Sequence, residues 1–162
     1  MTDLRWFVAH TRPRCEKKLQ RFCVERGLQA TLPCYKTIRK YARKTTTFEK
    51  PLFPGYVFLQ LLPADRQTII QNDLVANLLI VNDQETFAHQ LAEILTALET
   101  DFPVFLAPEV GVGTRVRIKM GPLRGFEGWV EERYGPATVL LRLDFIGQAA
   151  GVQLQVEAFE VA

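Results

Sequence analysis

Few residues in this chain have the type and spacing needed for chemistry at a reacting bond. The two histidines, His10 and His89, stand far apart, and neither lies in a catalytic or metal-binding motif. Asp and Glu are scattered, without the paired arrangement that acid–base catalysis uses. Cys15, Cys23 and Cys34 are odd in number, with no CxxC spacing and no histidine beside them. Reduced thiols therefore fit better than a disulfide framework or a metal site. No GxGxxG, P-loop, HExxH or GxSxG occurs. We expect no catalytic residue, no metal and no cofactor. What remains is the chemistry of binding, and two stretches carry it.

The first is residues 51–61, PLFPGYVFLQL. Pro54 fixes its own φ and Gly55 admits a backbone that other residues resist, so the stretch opens as a turn. It continues as a strand with Val57, Leu59 and Leu61 on one face and Tyr56, Phe58 and Gln60 on the other. Both faces are mostly apolar, which predicts a central strand. One face would pack on helices, and the aromatic face needs more protein or a partner. The second stretch is residues 36–50, with six bases and one acid. It has too few apolar residues for a core and too many Thr and Tyr for a favoured helix. A protruding β-hairpin or flexible arm is expected. Bases interleaved with Tyr41 and Phe48 suit phosphate contact with some base stacking, although a solvated loop would look the same.

The elements that must position these stretches follow from periodicity. Residues 5–10 read as a strand with Trp6, Val8 and His10 on one face. Thr11 and Pro13 then start a helix that Gly27 stops. Residues 28–35 read as a second strand. After the central strand come a short helix at 63–72, a strand at 75–81, and an amphipathic helix at 86–99. That helix carries Phe87, Leu91, Ile94, Leu95 and Leu98 on one stripe. These elements describe an α/β sandwich over residues 1–100. Residues 101–111 are rich in Pro and Gly and read as a linker, though an apolar one able to dock. From 112 to 162 the pattern changes to short strands alone, about five, which predicts a small barrel. The fold class is α+β.

At 162 residues, with 48% hydrophobic and 23% charged content, the chain has room for two small domains. No apolar run approaches the ~20 residues of a membrane span, so a cytoplasmic protein without membrane contact is expected. The net charge of +2 hides an asymmetry. Residues 1–62 balance at +9 and residues 63–162 at −7. A positive first half suits a polyanion such as nucleic acid or an acidic protein surface.

Two signatures, in order, carry a family resemblance. Residues 112–130, VGTRVRIKMGPLRGFEGWV, resemble a KOW motif, with Val116 and Ile118 on its strand, Gly121, Pro122 and Gly125 in its turn, and Gly128 before the next strand. Upstream, Trp6-Phe7-Val8 with a basic helix, then Leu52-Phe53-Pro54-Gly55-Tyr56-Val57-Phe58, resembles the N-terminal domain of NusG-family transcription factors. The resemblance covers nearly the whole chain.

The resemblance implies a four-stranded, mostly antiparallel sheet flanked by helices, followed by a five-stranded SH3-like barrel in a monomer. It also implies that an aromatic depression grips the clamp helices of RNA polymerase. Trp6, Val8, His10, Phe53, Tyr56 and Phe58 occupy the matching strands, with Tyr56 and Phe58 foremost. Gln67 and Thr68 fall where specialised members touch the far side of the polymerase cleft. The arm, with Lys36, Arg39, Lys40, Tyr41, Arg43 and Lys44, falls where some members contact the non-template DNA strand. The KOW domain would recruit Rho or a small-subunit ribosomal protein. The approach Glu49-Lys50-Pro51-Leu52 is similar to that of specialised, RfaH-like paralogues. The predicted outcome is suppression of pausing or termination. The alternative is an RNA- or ribosome-binding KOW protein that ignores polymerase.

Overall fold

A computed structural model describes residues 3–162. In chain order its elements are β1 (Arg5–Thr11), α1 (Glu16–Glu25), β2 (Gln29–Thr31), β3 (Cys34–Tyr41), β4 (Lys44–Pro51), β5 (Tyr56–Leu61), α2 (Arg66–Ile70) and β6 (Val75–Ile80). They continue with α3 (Gln84–Leu98), β7 (Val104–Ala107), β8 (Thr114–Ile118), β9 (Glu127–Val130), β10 (Thr138–Leu143), β11 (Gln148–Gln153) and β12 (Phe159–Val161). The chain divides into two compact units. One holds the residues up to Pro33 together with Phe53–Ala88, and the other holds Cys34–Leu52 with His89–Ala162.

The first unit is built on a four-stranded antiparallel sheet in the order β2-β5-β1-β6. β5 is central, as its two apolar faces predict. Phe7 and Ala9 of β1 and Val57, Leu59 and Leu61 of β5 line one face, and all are buried. Leu19 and Cys23 on α1 and Ile69 on α2 are buried as well, each on the inward side of a helix whose other positions are largely exposed. α1 starts at Glu16 rather than at Thr11 or Pro13. The reason is Arg14, whose φ of 63° is left-handed and cannot belong to an α-helix. The strand expected over 28–35 is also split, into β2 and β3. Pro33 lies in the break and has no N–H to give a ladder.

The second unit contains the hairpin β3–β4 and a six-stranded sheet in the order β12-β8-β9-β10-β11-β7. The basic arm is thus ordered as a hairpin, paired from Cys34↔Pro51 to Tyr41↔Lys44 around a two-residue tip. Five of the sheet's strands follow residue 112, the number that the sequence pattern predicts. The sixth, β7, comes from the stretch read as a linker and pairs with β11 from Ala149↔Ala107 to Val152↔Val104. The expected barrel is not closed: among the described residues no pairing joins β12 to β7. Beneath the sheet, Glu131 is a buried carboxylate at 2% exposure. Arg133 lies 2.9 Å away and Arg142 3.6 Å, and its Oε2 accepts the Gly111 N–H at 3.2 Å. The buried charge is therefore paired and holds down the chain that follows β7.

α3 begins two residues before its expected start because Asp83 caps it. The Asp83 carboxylate accepts the N–H of Thr86 at 3.1 Å and its hydroxyl at 2.7 Å, which holds the carboxyl below its usual range. On the same helix, burial raises the pKa of Glu93, and the nearby charge of Glu127 adds to the rise while His89 opposes it. Glu127 is lowered instead, by hydrogen bonds from Arg117 and Arg115. A carboxyl that holds its proton more tightly when folded favours the folded state at low pH, and that advantage is lost as pH rises through its folded pKa. Glu93→Gln, which mimics the protonated form, is expected to raise the thermal midpoint at pH 7. It should leave the midpoint nearly unchanged below about pH 4, where the carboxyl is protonated in both states. Melting curves of the two chains at both pH values check this.

Candidate functional site

The residues expected to bind a partner lie on the face of the first sheet opposite Phe7. Register sets them side by side: Trp6 faces Gln60, Val8 faces Phe58, and His10 faces Tyr56 across β1 and β5. The structure does not leave them equally accessible. Val8 and Phe58 are 0% exposed and Phe53 is 1% exposed. Their cover is aromatic, and it includes Phe87 on the first turn of α3. Ring centroids run from Trp6 to Phe87 at 5.4 Å, from Phe87 to Phe58 at 5.5 Å, and from Phe58 to Phe53 at 6.2 Å, all edge-to-face. Such contacts contribute roughly 0.5–1.5 kcal/mol each beyond area burial. Phe58 is thus a floor residue rather than a surface contact, as are Val8 and Phe53.

Trp6, His10 and Tyr56 keep exposed surface. Trp6 is fixed from both sides of its peptide unit. Its N–H donates to Gln84 Oε1 at 2.5 Å, and Gln84 Nε2 donates to the Trp6 carbonyl at 3.0 Å and to that of Val81 at 2.8 Å. One side chain thereby extends the ladder of β6 past its end. His10 and Tyr56 stack, with centroids 5.2 Å apart and planes 24° from parallel. The turn before β5 adjoins the pair. Gly55 has φ of 88°, which glycine alone adopts without strain, and a Cβ there would only touch the His10 ring, at 3.5 Å. Glu16 Oε2 accepts the Gly55 N–H at 3.1 Å, and the Gly55 carbonyl accepts the Thr11 N–H at 2.8 Å. These bonds tie the turn to the start of α1.

An open recess of about 580 Å³ adjoins the pair, lined by His10, Arg12, Arg14, Glu16, Gly55 and Ala76 among others. Thr11 also lines it. Its Oγ1 is 4% exposed at the residue level and has no hydrogen-bond partner. Register adds two residues that sequence reasoning missed. Asn77 faces His10 and Leu79 faces Val8, both on the edge strand β6 and both exposed, Leu79 at 41%. Strict alternation along β6 was the available signal, since it puts Asn77 and Leu79 on one face.

The remaining candidates lie elsewhere. Gln67 and Thr68 are exposed on α2. The Arg66 guanidinium of that helix sits 5.7 Å over the Phe7 ring, which places α2 on the sheet face away from His10 and Tyr56. On the hairpin, Lys36, Lys40, Tyr41, Arg43 and Lys44 are exposed, and Arg39 pairs in register with Thr46. In the last sheet Val116 and Ile118 are buried, and Gly121 and Gly125 take φ of 84° and 90° in the turn around exposed Pro122. Gly128 is buried between strands. The Cys23 thiol is pushed up to about 11 by burial, so it is a protonated, unreactive core group. Among the described residues, no three of His, Cys, Asp and Glu converge on a metal site, and no helix is long and apolar enough to cross a membrane.

Comparison with known proteins identifies the family. The family described as "Transcription termination factor nusG" matches residues 4–95, which take in the whole of the first sheet, both candidate stretches and most of α3. The transcription termination/antitermination protein NusG of Lactococcus lactis is 29% identical, with the alignment covering 98% of this chain and 93% of that protein. The protein of the same name from Borreliella burgdorferi is 22% identical over 96% of this chain and 97% of its own length. The chain belongs to the NusG family, whose members are transcription factors and not enzymes.

Proposed function

We propose that this protein binds RNA polymerase through the face that carries Trp6, His10 and Tyr56, and that it suppresses pausing or termination. The observation that carries this reading is the stacked His10–Tyr56 pair, on the same sheet face as the buried Phe58 and reaching solvent. A rigid aromatic pair beside a recess with an unpartnered hydroxyl and two arginines suits a helical protein surface with apolar and polar side chains. The clamp helices of the polymerase are the partner. Gln67 and Thr68, on the other layer of the sheet, would meet the opposite side of the cleft. Binding that favours one clamp position shifts the polymerase away from paused states without any bond being made or broken. In this reading residues 1–100 form the polymerase-binding domain, 101–111 the connection, and 112–162 the KOW domain. The KOW domain recruits a further protein, Rho or a small-subunit ribosomal protein, and the basic hairpin lies against the non-template DNA strand.

The test is co-purification of the chain with bacterial RNA polymerase, free and in a paused elongation complex. Retention on both supports a general factor. Retention only on a complex that exposes a particular DNA strand supports a specialised, operon-specific one. Retention on neither, with binding to structured RNA instead, would replace this reading with an RNA-binding KOW protein.

A further inference from the structure

Trp6 is held in place by a side chain 78 residues further along the chain. β6 ends at Ile80, which pairs with Phe7, so the next rung of the ladder would join Trp6 to Val81. Half of that rung is direct: the Val81 N–H donates to the Trp6 carbonyl at 3.1 Å. The other half is not. Where the Trp6 N–H would meet the Val81 carbonyl, the amide of Gln84 stands between them. Its Oε1 accepts from Trp6 at 2.5 Å, and its Nε2 donates to Val81 at 2.8 Å. The same Nε2 also donates to the Trp6 carbonyl, at 3.0 Å. Gln84 opens α3, and Phe87, whose ring meets that of Trp6 edge-to-face at 5.4 Å, is three residues on. Residues at that spacing share a side of a helix. The first turn of α3 therefore grips Trp6 twice, by its peptide through Gln84 and by its ring through Phe87. Phe87 is 2% exposed, whereas Trp6 is half-buried and reaches solvent. His10 and Tyr56, by contrast, face each other within the regular ladder of β1 and β5.

We infer that Gln84 is a positioning residue for the polymerase-binding face, holding Trp6 in the orientation in which the partner meets it. The inference rests on the proposal that this face binds polymerase, and adds a residue that acts there through Trp6 rather than by its own contact. An exposed tryptophan carries a large share of the energy of an interface that uses one. A ring already held in its bound orientation spares the ordering cost of fixing it on association. Without the Gln84 amide, the Trp6 N–H and the Val81 carbonyl lose the bonds they make here. The start of β1 is then free to part from α3, and the Trp6 ring loses its fixed seat.

The experiment uses the full chain labelled with 5-fluorotryptophan, together with its affinity for bacterial RNA polymerase. The two tryptophans, Trp6 and Trp129, give separate fluorine resonances, assigned with Trp6→Phe. Gln84→Met keeps the length of the side chain and none of its hydrogen bonds. It should shift and broaden the Trp6 resonance, leave that of Trp129 in place, and weaken polymerase binding about three- to tenfold. Gln84→Glu keeps an acceptor for the Trp6 N–H but neither donor, and should fall between Gln84→Met and wild type. It carries the same comparison where Gln84→Met does not fold. Cys23→Ala, a change to the core on α1, should lower the unfolding midpoint with the Trp6 resonance and the affinity unaltered, which separates positioning from plain stability. On a Trp6→Ala background, Gln84→Met should cost no further affinity, because the two residues act as one unit. A Gln84→Met chain with the wild-type resonance would overturn the inference, as would an undiminished loss on the Trp6→Ala background. A wild-type chain that polymerase does not retain overturns the reading beneath it, whereas retention of wild type and Gln84→Met with equal affinity overturns this inference alone.

Discussion

Gly128→Ala should cost the chain about 3 kcal/mol or more of stability. A Cβ at position 128 would stand 2.5 Å from Val139 Cγ1 and 2.7 Å from the Leu140 carbonyl oxygen. Neither can retreat. Val139 and Leu140 are 0% exposed, and β9 is fixed between β8, through Gly128↔Val116, and β10, through Trp129↔Leu140. The strands must part or the side chains leave their rotamers, and the small sheet has little stability to lose. Gly125→Ala is the control. It has φ of 90° but nothing within 4 Å of the added carbon, so only backbone strain of about 1–2 kcal/mol is expected. Urea unfolding of the three full-length chains checks the order. If Gly125→Ala proved as damaging as Gly128→Ala, close approach of strands would not be what keeps glycine at 128.

His10→Ala combined with Tyr56→Ala should lower polymerase affinity by a factor of about 30 or more, at roughly 2 kcal/mol for the loss of a central aromatic contact. The fold should be kept, because His10 is exposed and Tyr56 half-buried, and neither belongs to the buried core. Phe58→Ala should do the reverse. It removes a fully buried ring from the chain of contacts that joins Phe53, Phe58 and Phe87, and the cavity is expected to cost about 3–5 kcal/mol. Where that variant remains folded, its affinity for polymerase should stay within a few-fold of wild type. Measuring both affinity and unfolding for each variant separates the two roles. A Phe58→Ala chain that is fully stable yet blind to polymerase would show that the ring is a contact after all.

The contrast between Tyr56 and Phe58 shows where the sequence is informative. Alternation correctly placed both on one face of β5, since period two is a property of the strand itself. It carried no sign that Phe58 is covered, because the cover is Phe87, brought over by a helix 29 residues later. The turn glycines were more legible. Gly121 and Gly125 frame a Pro-Leu-Arg turn, and both take the positive φ that this composition favours. Helix starts were less so. Arg14, with no glycine's freedom, adopts a left-handed φ that moves the start of α1, and Asp83 moves that of α3 the other way. β7 was hidden by the prolines on either side of it. Pro103 and Pro108 read as linker, yet each falls just outside the four residues that pair.

That short strand bears on how the last part of the molecule could be handled in isolation. Phe105 of β7 lies over Gly151 so closely that no Cβ would fit between them, and β7 occupies the whole outer edge of β11 from Ala149 to Val152. A fragment cut at residue 112 would keep β8 to β12 but strip this edge bare. Four backbone positions of an apolar strand, with a glycine at their centre, would then face water in a row, which is a template for another chain to add on. A fragment that begins before Pro103 carries its own guard against that, so the point of excision decides between a single particle and a self-associating one.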